Sequence, residues 1–219
     1  MQIVFDNEKV CEECQSLWGF SAYLPEYKML FDTGSNGRVL LQNMKKVGVD
    51  VDEIESVFIT HSHWDHIGGI DSIIELNPDI TLYLPSSLSK HLIKDLRLMV
   101  KKVVVCTKKP MHLYKELYTT GVLGSEMPEQ ALIIDAPKPK VLTGCGHYGI
   151  ENITQVAKEF LGKDIKVVEG GFHLLRSDTQ TIASTIEKLK MMGVTSANAT
   201  HCSGEKAKEM FEKVFPRDE

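Results

Sequence analysis

Three imidazoles and one carboxylate fall within six positions of this chain, at His61, His63, Asp65 and His66, and the whole sequence holds eight histidines. They follow the apolar run Ser56-Val57-Phe58-Ile59, and Gly68-Gly69 comes soon after. A β-strand ending at Thr60 places His61 and His63, two apart, on one face. Asp65 and His66 then fall in the turn that opens the next helix. Imidazole nitrogen and carboxylate oxygen are what zinc, iron or manganese accept from a protein. Two histidines at the strand end can serve one cation while Asp65 and His66 reach toward a second. The glycine pair lets the backbone turn sharply beside them. A polar loop with scattered histidines is the plainer alternative, and the density of the cluster argues against it.

Three later histidines each follow a segment with strand character. His147 comes after Lys140-Val141-Leu142-Thr143, His173 after Ile165-Lys166-Val167-Val168-Glu169, and His201 after a short strand near 196–199. Strand ends that each present a histidine are what a cleft at one rim of a sheet requires. His91 and His112 lack ligand spacing and read as surface residues.

The pattern HxHxDH resembles the metallo-β-lactamase-fold superfamily. Phe31-Asp32-Thr33-Gly34 is similar to that superfamily's early Asp-Thr-Gly turn. Trp18-Gly19-Phe20-Ser21, Thr143-Gly144-Cys145-Gly146-His147, Gly170-Gly171-Phe172-His173-Leu174 and Thr200-His201-Cys202-Ser203-Gly204 resemble one branch of it. That branch holds the dihydropterin-ribofuranosyl-aminobenzene-phosphate synthases and related metal-dependent hydrolases. The likeness runs over nearly the whole chain. It implies an α/β fold, an αββα four-layer sandwich of two mixed β-sheets flanked by helices. It implies two divalent metal ions, zinc first, with manganese or iron as alternatives. The metal ligands it implies are His61, His63, Asp65, His66, His147 and His201. Asp65 would also hold the proton of the nucleophile, and His173 would contact substrate, act as general acid or bind metal. Asp32 would hydrogen-bond beside the cluster and stiffen its ligands. One departure stands out. Related hydrolases usually bridge two metals with an aspartate from a Thr-Gly-Asp turn, and the corresponding turn here, Thr143 to His147, has none. Either His147 takes a ligand place from that turn, or the second metal is held more weakly.

Two cations about 3.5–4 Å apart bring the pKa of a shared water near 7 and stabilise the charge that develops on the attacked group. The expected activity is metal-dependent hydrolysis of a small ester, lactone or phosphate-containing molecule, pterin-like ones included. Three alternatives stay open: a dihydropterin condensing synthase of the same branch, a mononuclear-iron oxygenase of the same fold, and a nucleic-acid phosphodiesterase. A binding module that keeps its metals only for stability is a fourth. One fold hosts many chemistries, so the likeness does not choose among them. The expected partner is a small-molecule substrate. A net charge of −5 and the lack of a basic arm argue against nucleic acid.

The remaining sequence must position these groups. Strands are expected at 2–5, 20–24, 28–31, 56–60, 80–84, 131–134, 140–143, 165–169 and 196–199. Helices are expected at 38–47, 68–76, 150–161 and 179–192, the last stopped by Gly193, with one more near the C-terminus. Their inward stripes are Leu40, Met44 and Val47, then Ile150, Ile153, Ala157 and Phe160, then Ile182, Ile186 and Leu189. The last helix packs through Ala207, Met210, Phe211 and Val214. A length of 219 residues suits one α/β domain over 1–219. The less regular stretch 85–128 reads as a substrate lid or a helical hairpin over a sheet edge. Glu126 within it is a candidate substrate or metal contact.

No apolar run nears the ~20 residues of a membrane helix. The segment Met1-Gln2-Ile3-Val4-Phe5-Asp6 lacks the features of a secretion signal, so a cytoplasmic location is the default expectation. Five cysteines at irregular spacing do not suggest a disulfide framework. The Cys11–Cys14 CxxC pair has no thioredoxin-like context. Cys106 reads as a small buried apolar residue; Cys145 and Cys202, each within two residues of a suspected ligand, read as packing first, with a thiolate touching a metal as the alternative.

Overall fold

The computed structural model describes residues 1–215. It divides into two compact units, Met1–Cys106 and Thr107 onward. The first unit is built on a six-stranded mixed sheet in the order β1-β2-β3-β4-β5-β6. These strands are β1 (Gln2–Phe5), β2 (Ser21–Leu24), β3 (Met29–Phe31), β4 (Ser56–Phe58), β5 (Thr81–Pro85) and β6 (Lys102–Cys106). β1, β2 and β3 pair antiparallel, and β3 to β6 run parallel. Parallel neighbours need crossovers. Helices α1 (Gly37–Lys46), α3 (Ile70–Leu76) and α4 (Lys90–Met99) supply them, and the one-turn α2 (Trp64–Ile67) precedes α3.

Burial decides where each residue of a strand points. Leu30 and Val57 join a core with Leu40 and Met44 of α1, Ile70, Ile73 and Ile74 of α3, and Ile93 and Leu96 of α4. Their neighbours Phe31 and Phe58 point to the other face and stack with ring centroids 5.5 Å apart. That face is buried too, as the unbroken apolar run of a parallel strand demands. Burying each such side chain contributes about 1.5–3 kcal/mol, more than any local helix or strand preference of the same residue.

The second unit carries its own six-stranded mixed sheet, ordered β12-β11-β10-β9-β8-β7. Its strands are β7 (Met111–Tyr114), β8 (Leu117–Thr119), β9 (Leu132–Ile134), β10 (Lys140–Thr143), β11 (Val167–Gly171) and β12 (Ser196–Thr200). β10, β11 and β12 are parallel, and the rest are antiparallel. Helices α5 (Ile150–Leu161), α6 (Thr179–Met191) and α7 (Glu205–Glu212) cover it. Ile150, Ile153 and Ala157 meet Ile182, Ile186, Leu189, Ala207 and Phe211 over Val141, Val168 and Ala197. Gly193 (φ 91°) ends α6 in a conformation that other residues adopt at a cost.

Several expectations need correction. The helix expected over 68–76 begins earlier and breaks: α2 holds Asp65 and His66, and α3 restarts at Ile70. A Cβ at Gly69 would stand 2.3 Å from the Thr33 carbonyl oxygen, so the chain must pass that turn without a side chain. Phe160 does not face inward; it is 40% exposed and meets Tyr118 edge-on, with centroids 5.6 Å apart. Val214 is 41% exposed, and Met210 only borders the core. Residues 85–128 form no helical hairpin. They hold α4, the edge strands β6 and β7, and β8 beside β7. Cys11 and Cys14 are joined in a disulfide, so that pair offers no thiolate, whereas Cys106, Cys145 and Cys202 are free and buried. Among the described residues no helix is long and apolar enough to cross a membrane.

Candidate metal centre

In the first unit, β4 delivers the histidine cluster. The chain leaves Phe58, continues buried through Ile59 and Thr60, and reaches His61, which has no exposed surface. His63 precedes α2, and its carbonyl accepts from the His66 and Ile67 amides at 3.0 and 3.2 Å. This short helix brings the rings together. His61 and His63 have centroids 4.7 Å apart, and His61 and His66 4.3 Å apart. The Asp65 carboxylate lies 3.6 Å from His66 Nε2. All four predicted groups of the motif therefore share one small volume.

Asp32 holds them there. It follows β3 in the left-handed region (φ 53°), a conformation aspartate tolerates better than most residues. Its buried carboxylate accepts from the Thr60 amide (2.8 Å, Oδ1) and, on Oδ2, from the Thr60 hydroxyl (2.8 Å). His66 Nδ1 also meets Oδ2, at 2.7 Å. The Thr60 hydroxyl lies 2.8 Å from His61 Nδ1. With the hydroxyl proton on Asp32, Thr60 Oγ1 accepts from His61 Nδ1–H, and His66 Nδ1–H donates to the carboxylate. Both rings then carry their proton on Nδ1, and Nε2 is the basic nitrogen. A metal-binding histidine is oriented in this manner. Around it, the Thr33 amide and hydroxyl bind the His66 carbonyl (2.7 and 3.0 Å), and the Phe20 amide binds that of Asp65 (3.1 Å). The Asp-Thr-Gly and Trp-Gly-Phe-Ser motifs thus fasten the loop's backbone.

In the second unit, parallel β10, β11 and β12 end side by side, with Thr143 paired to Gly170 and Gly171 to Thr200. Their C-terminal ends present His147, His173 and His201. The rings of His147 and His173 have centroids 4.4 Å apart. Donor atoms of Cys145, His147 and His173 lie within 4.8 Å of one another, as do those of Cys145, His201 and Cys202. Both triads could hold a cation. His173 (φ 53°) and His201 (φ 49°) are left-handed, a strain of about 1–3 kcal/mol each that such sites retain. A hydrogen bond with Cys202 raises the His173 pKa above its ordinary value. Cys202 is lowered well below the usual thiol range, first by a hydrogen bond with Cys145, then by His173, against the opposing effect of burial.

Glu129 organises this loop, and no sequence signal marks it; the expected contact, Glu126, is exposed. The Glu129 carboxylate is 1% exposed. It accepts from the Cys145 and Gly146 amides (2.9 and 3.0 Å, Oε1) and the His147 amide (2.8 Å, Oε2). Nothing in Met127-Pro128-Glu129-Gln130 marks it, because its partners lie 16–18 positions on. Glu129→Gln turns an amide NH2 toward these N–H groups. We expect it to lower the unfolding free energy by about 1–3 kcal/mol, read by urea denaturation. An unchanged midpoint would mean that another acceptor takes the three amides.

The donor set fits divalent cations: imidazoles with defined tautomers, a buried carboxylate and buried thiols, all types that zinc and its neighbours bind. Residues 19–103 match the profile of the metallo-beta-lactamase superfamily. A 7,8-dihydropterin-6-methyl-4-(beta-D-ribofuranosyl)-aminobenzene-5'-phosphate synthase from Methanocaldococcus jannaschii is 27% identical over 237 aligned positions, covering 87% of this chain and 80% of the relative. The crystal structure of Tm1679, described as a metal-dependent hydrolase of the beta-lactamase superfamily, superposes with a TM-score of 0.80 at 25% identity, covering 99% of this chain and 93% of that one. YhfI from Bacillus subtilis, a metallo-beta-lactamase fold protein, gives 0.68 at 16% identity, with coverage of 99% and 93%. With two mixed sheets flanked by helices and the histidine motif at the end of β4, this chain has the metallo-β-lactamase fold, and its residues 19–103 match that superfamily's profile.

Proposed function

We propose that this protein is a binuclear metal-dependent hydrolase acting on a small ester, lactone or phosphate-containing substrate, pterin-like ones included. His61, His63, Asp65, His66, His147 and His201 hold the metals in this reading, with zinc first and manganese or iron as alternatives. The single observation that carries it is the Asp32–Thr60 network, which leaves Nε2 as the basic nitrogen of both His61 and His66. Such bonding requires burying a carboxylate and has no use for packing alone. The cations, when bound, supply Lewis acidity that brings water within reach of deprotonation at neutral pH.

This chain's own residues do the rest. Asp65, 5% exposed and fastened through its carbonyl to Phe20, keeps a carboxylate oxygen beside the histidines, where it can hold the proton of an attacking water. His173 is exposed on the second unit and hydrogen-bonded to Cys202, which keeps its ring poised to meet substrate or give a proton to a leaving group. Asp32 and Glu129 touch neither; they hold ligands in place.

A second reading follows from the relative named as a synthase. In it, the same groups assist departure of a diphosphate while an aromatic amine attacks. Elemental analysis of protein purified without added metal, followed by assays of the loaded enzyme, tests both. Near two ions per chain with hydrolysis of generic ester or phosphodiester substrates supports the first. Pyrophosphate release from a pterin alcohol diphosphate that requires an arylamine supports the second and overturns the first. A single iron per chain with oxygen consumption overturns both.

A further inference from the structure

The turn after β10, Thr143 to His147, carries no carboxylate, yet it is not empty of chemistry. Cys145 stands there, 3% exposed. Its sulfur belongs to both donor triads of the second unit, one with His147 and His173 and one with His201 and Cys202. No other residue is common to the two. A buried cysteine is by default a small apolar filler, the reading the sequence favours over a thiolate on a metal. Three imidazoles within 4.8 Å of one sulfur are poor surroundings for a filler.

We propose that Cys145 is a metal ligand, its thiolate supplying the anionic donor that the Thr143–His147 turn otherwise lacks. The proposal rests on the metalloenzyme reading above and deepens it. Distances allow it. Zinc–sulfur and zinc–nitrogen bonds of about 2.3 and 2.0 Å put tetrahedral donors roughly 3.5–3.8 Å apart. The observed separations of at most 4.8 Å close to that by small side-chain rotations. The backbone at Cys145 is held independently, since its amide donates to Glu129 and its carbonyl accepts from the Cys202 thiol at 3.4 Å. A Cβ on Gly171 would come within 2.8 Å of Cys202 Sγ and 3.1 Å of Cys145 Cα, so this neighbour must be glycine for the two sulfurs to sit here. What separates the cysteines is reach: Cys202 belongs only to the triad with His201, whereas Cys145 belongs to both triads.

X-ray absorption at the zinc edge of the wild-type, zinc-loaded full chain reads the ligand shell without any variant. A sulfur scatterer at about 2.3 Å is the expected result, and a shell of nitrogen and oxygen alone would overturn the proposal. Cobalt(II) substitution gives the assignment. The near-ultraviolet sulfur-to-cobalt band should vanish in Cys145→Ser and persist in Cys202→Ser, with cobalt affinity falling at least about tenfold in the former. A band that survives Cys145→Ser overturns the assignment. Cys145→Asp, which restores a carboxylate, should keep two ions per chain without the band, so loss of sulfur ligation is told apart from loss of folding. Two ions per chain with no sulfur in the wild type defeats this inference alone; no bound ion defeats the metalloenzyme reading with it.

Discussion

His63→Ala is expected to strip metal and abolish turnover while leaving the fold nearly intact. The reason lies in what His63 does with its backbone and what it does with its ring. Its carbonyl caps α2 by accepting the His66 and Ile67 amides, and its side chain makes no capping bond. Alanine at this extended position (φ −64°, ψ 139°) keeps both of those bonds. The ring is half-buried and meets His61 edge-on, so the stability cost should stay near about 1 kcal/mol, the usual scale for a substitution that opens no core cavity. A lost ligand is another matter. Removing even an outer partner of a metal ligand lowers affinity about 10–100-fold, and removing the ligand itself should exceed that. Metal content, turnover and a thermal melt measured together decide it. Full turnover in this variant would reject the assignment of His63.

Asp32→Ala should do the opposite and remove a large share of the protein's stability. The carboxylate is wholly buried and accepts from the Thr60 amide, the Thr60 hydroxyl and His66 Nδ1. Taking it away leaves those donors in a dry interior, a loss of about 3–5 kcal/mol. Alanine is also poorly suited to a φ of 53°, which adds to the cost. Asp32→Asn separates the two roles of the residue. Asparagine tolerates the left-handed backbone and still offers an oxygen to the Thr60 amide. Its NH2 group, however, meets His66 Nδ1, which must then accept, so the ring proton moves to Nε2 and the metal-binding nitrogen is lost. The asparagine variant is therefore expected to melt closer to wild type than the alanine variant, yet to bind metal about 10–100-fold more weakly. If Asp32→Asn binds metal normally, the tautomer argument fails. If Asp32→Ala melts like wild type, the buried network carries no stability.

The two variants test the same loop from opposite ends. In the proposed reading His63 is a group whose purpose shows only with a cation present, and Asp32 is one whose purpose shows in the folded chain without any. Glu129 repeats the Asp32 arrangement in the second unit: a buried carboxylate that accepts three donors and fixes a histidine-bearing turn. The first accepts from one amide and two side chains and thereby sets ring tautomers; the second accepts only from amides and sets only backbone.

What could be read directly from the sequence was local. Three histidines and an aspartate within six positions must lie close together whatever the fold, because a strand end and one helical turn span only a few ångströms. Apolar periodicity likewise located α5 over Ile150–Leu161 and the buried stripe of α6, since helix packing selects residues three and four apart. The failures were of the other kind. Phe160 satisfies the inward spacing of α5 but leans on Tyr118 of β8 instead. Asp32 reaches Thr60 across 28 positions and His66 across 34, and Cys202 reaches Cys145 across 57. Periodicity carries no information about which distant strand ends become neighbours; that depends on strand order, and β3 lies beside β4 as β10 lies beside β11 only once the sheets form. Sequence alone therefore announced the motif and its candidate donor types, because these are properties of adjacent residues. Tertiary structure decided which carboxylates hold the ligands in place, which nitrogen each ring offers and which cysteine stands among the imidazoles, because hydrogen bonds and donor distances are set by the packing of strands far apart in the chain.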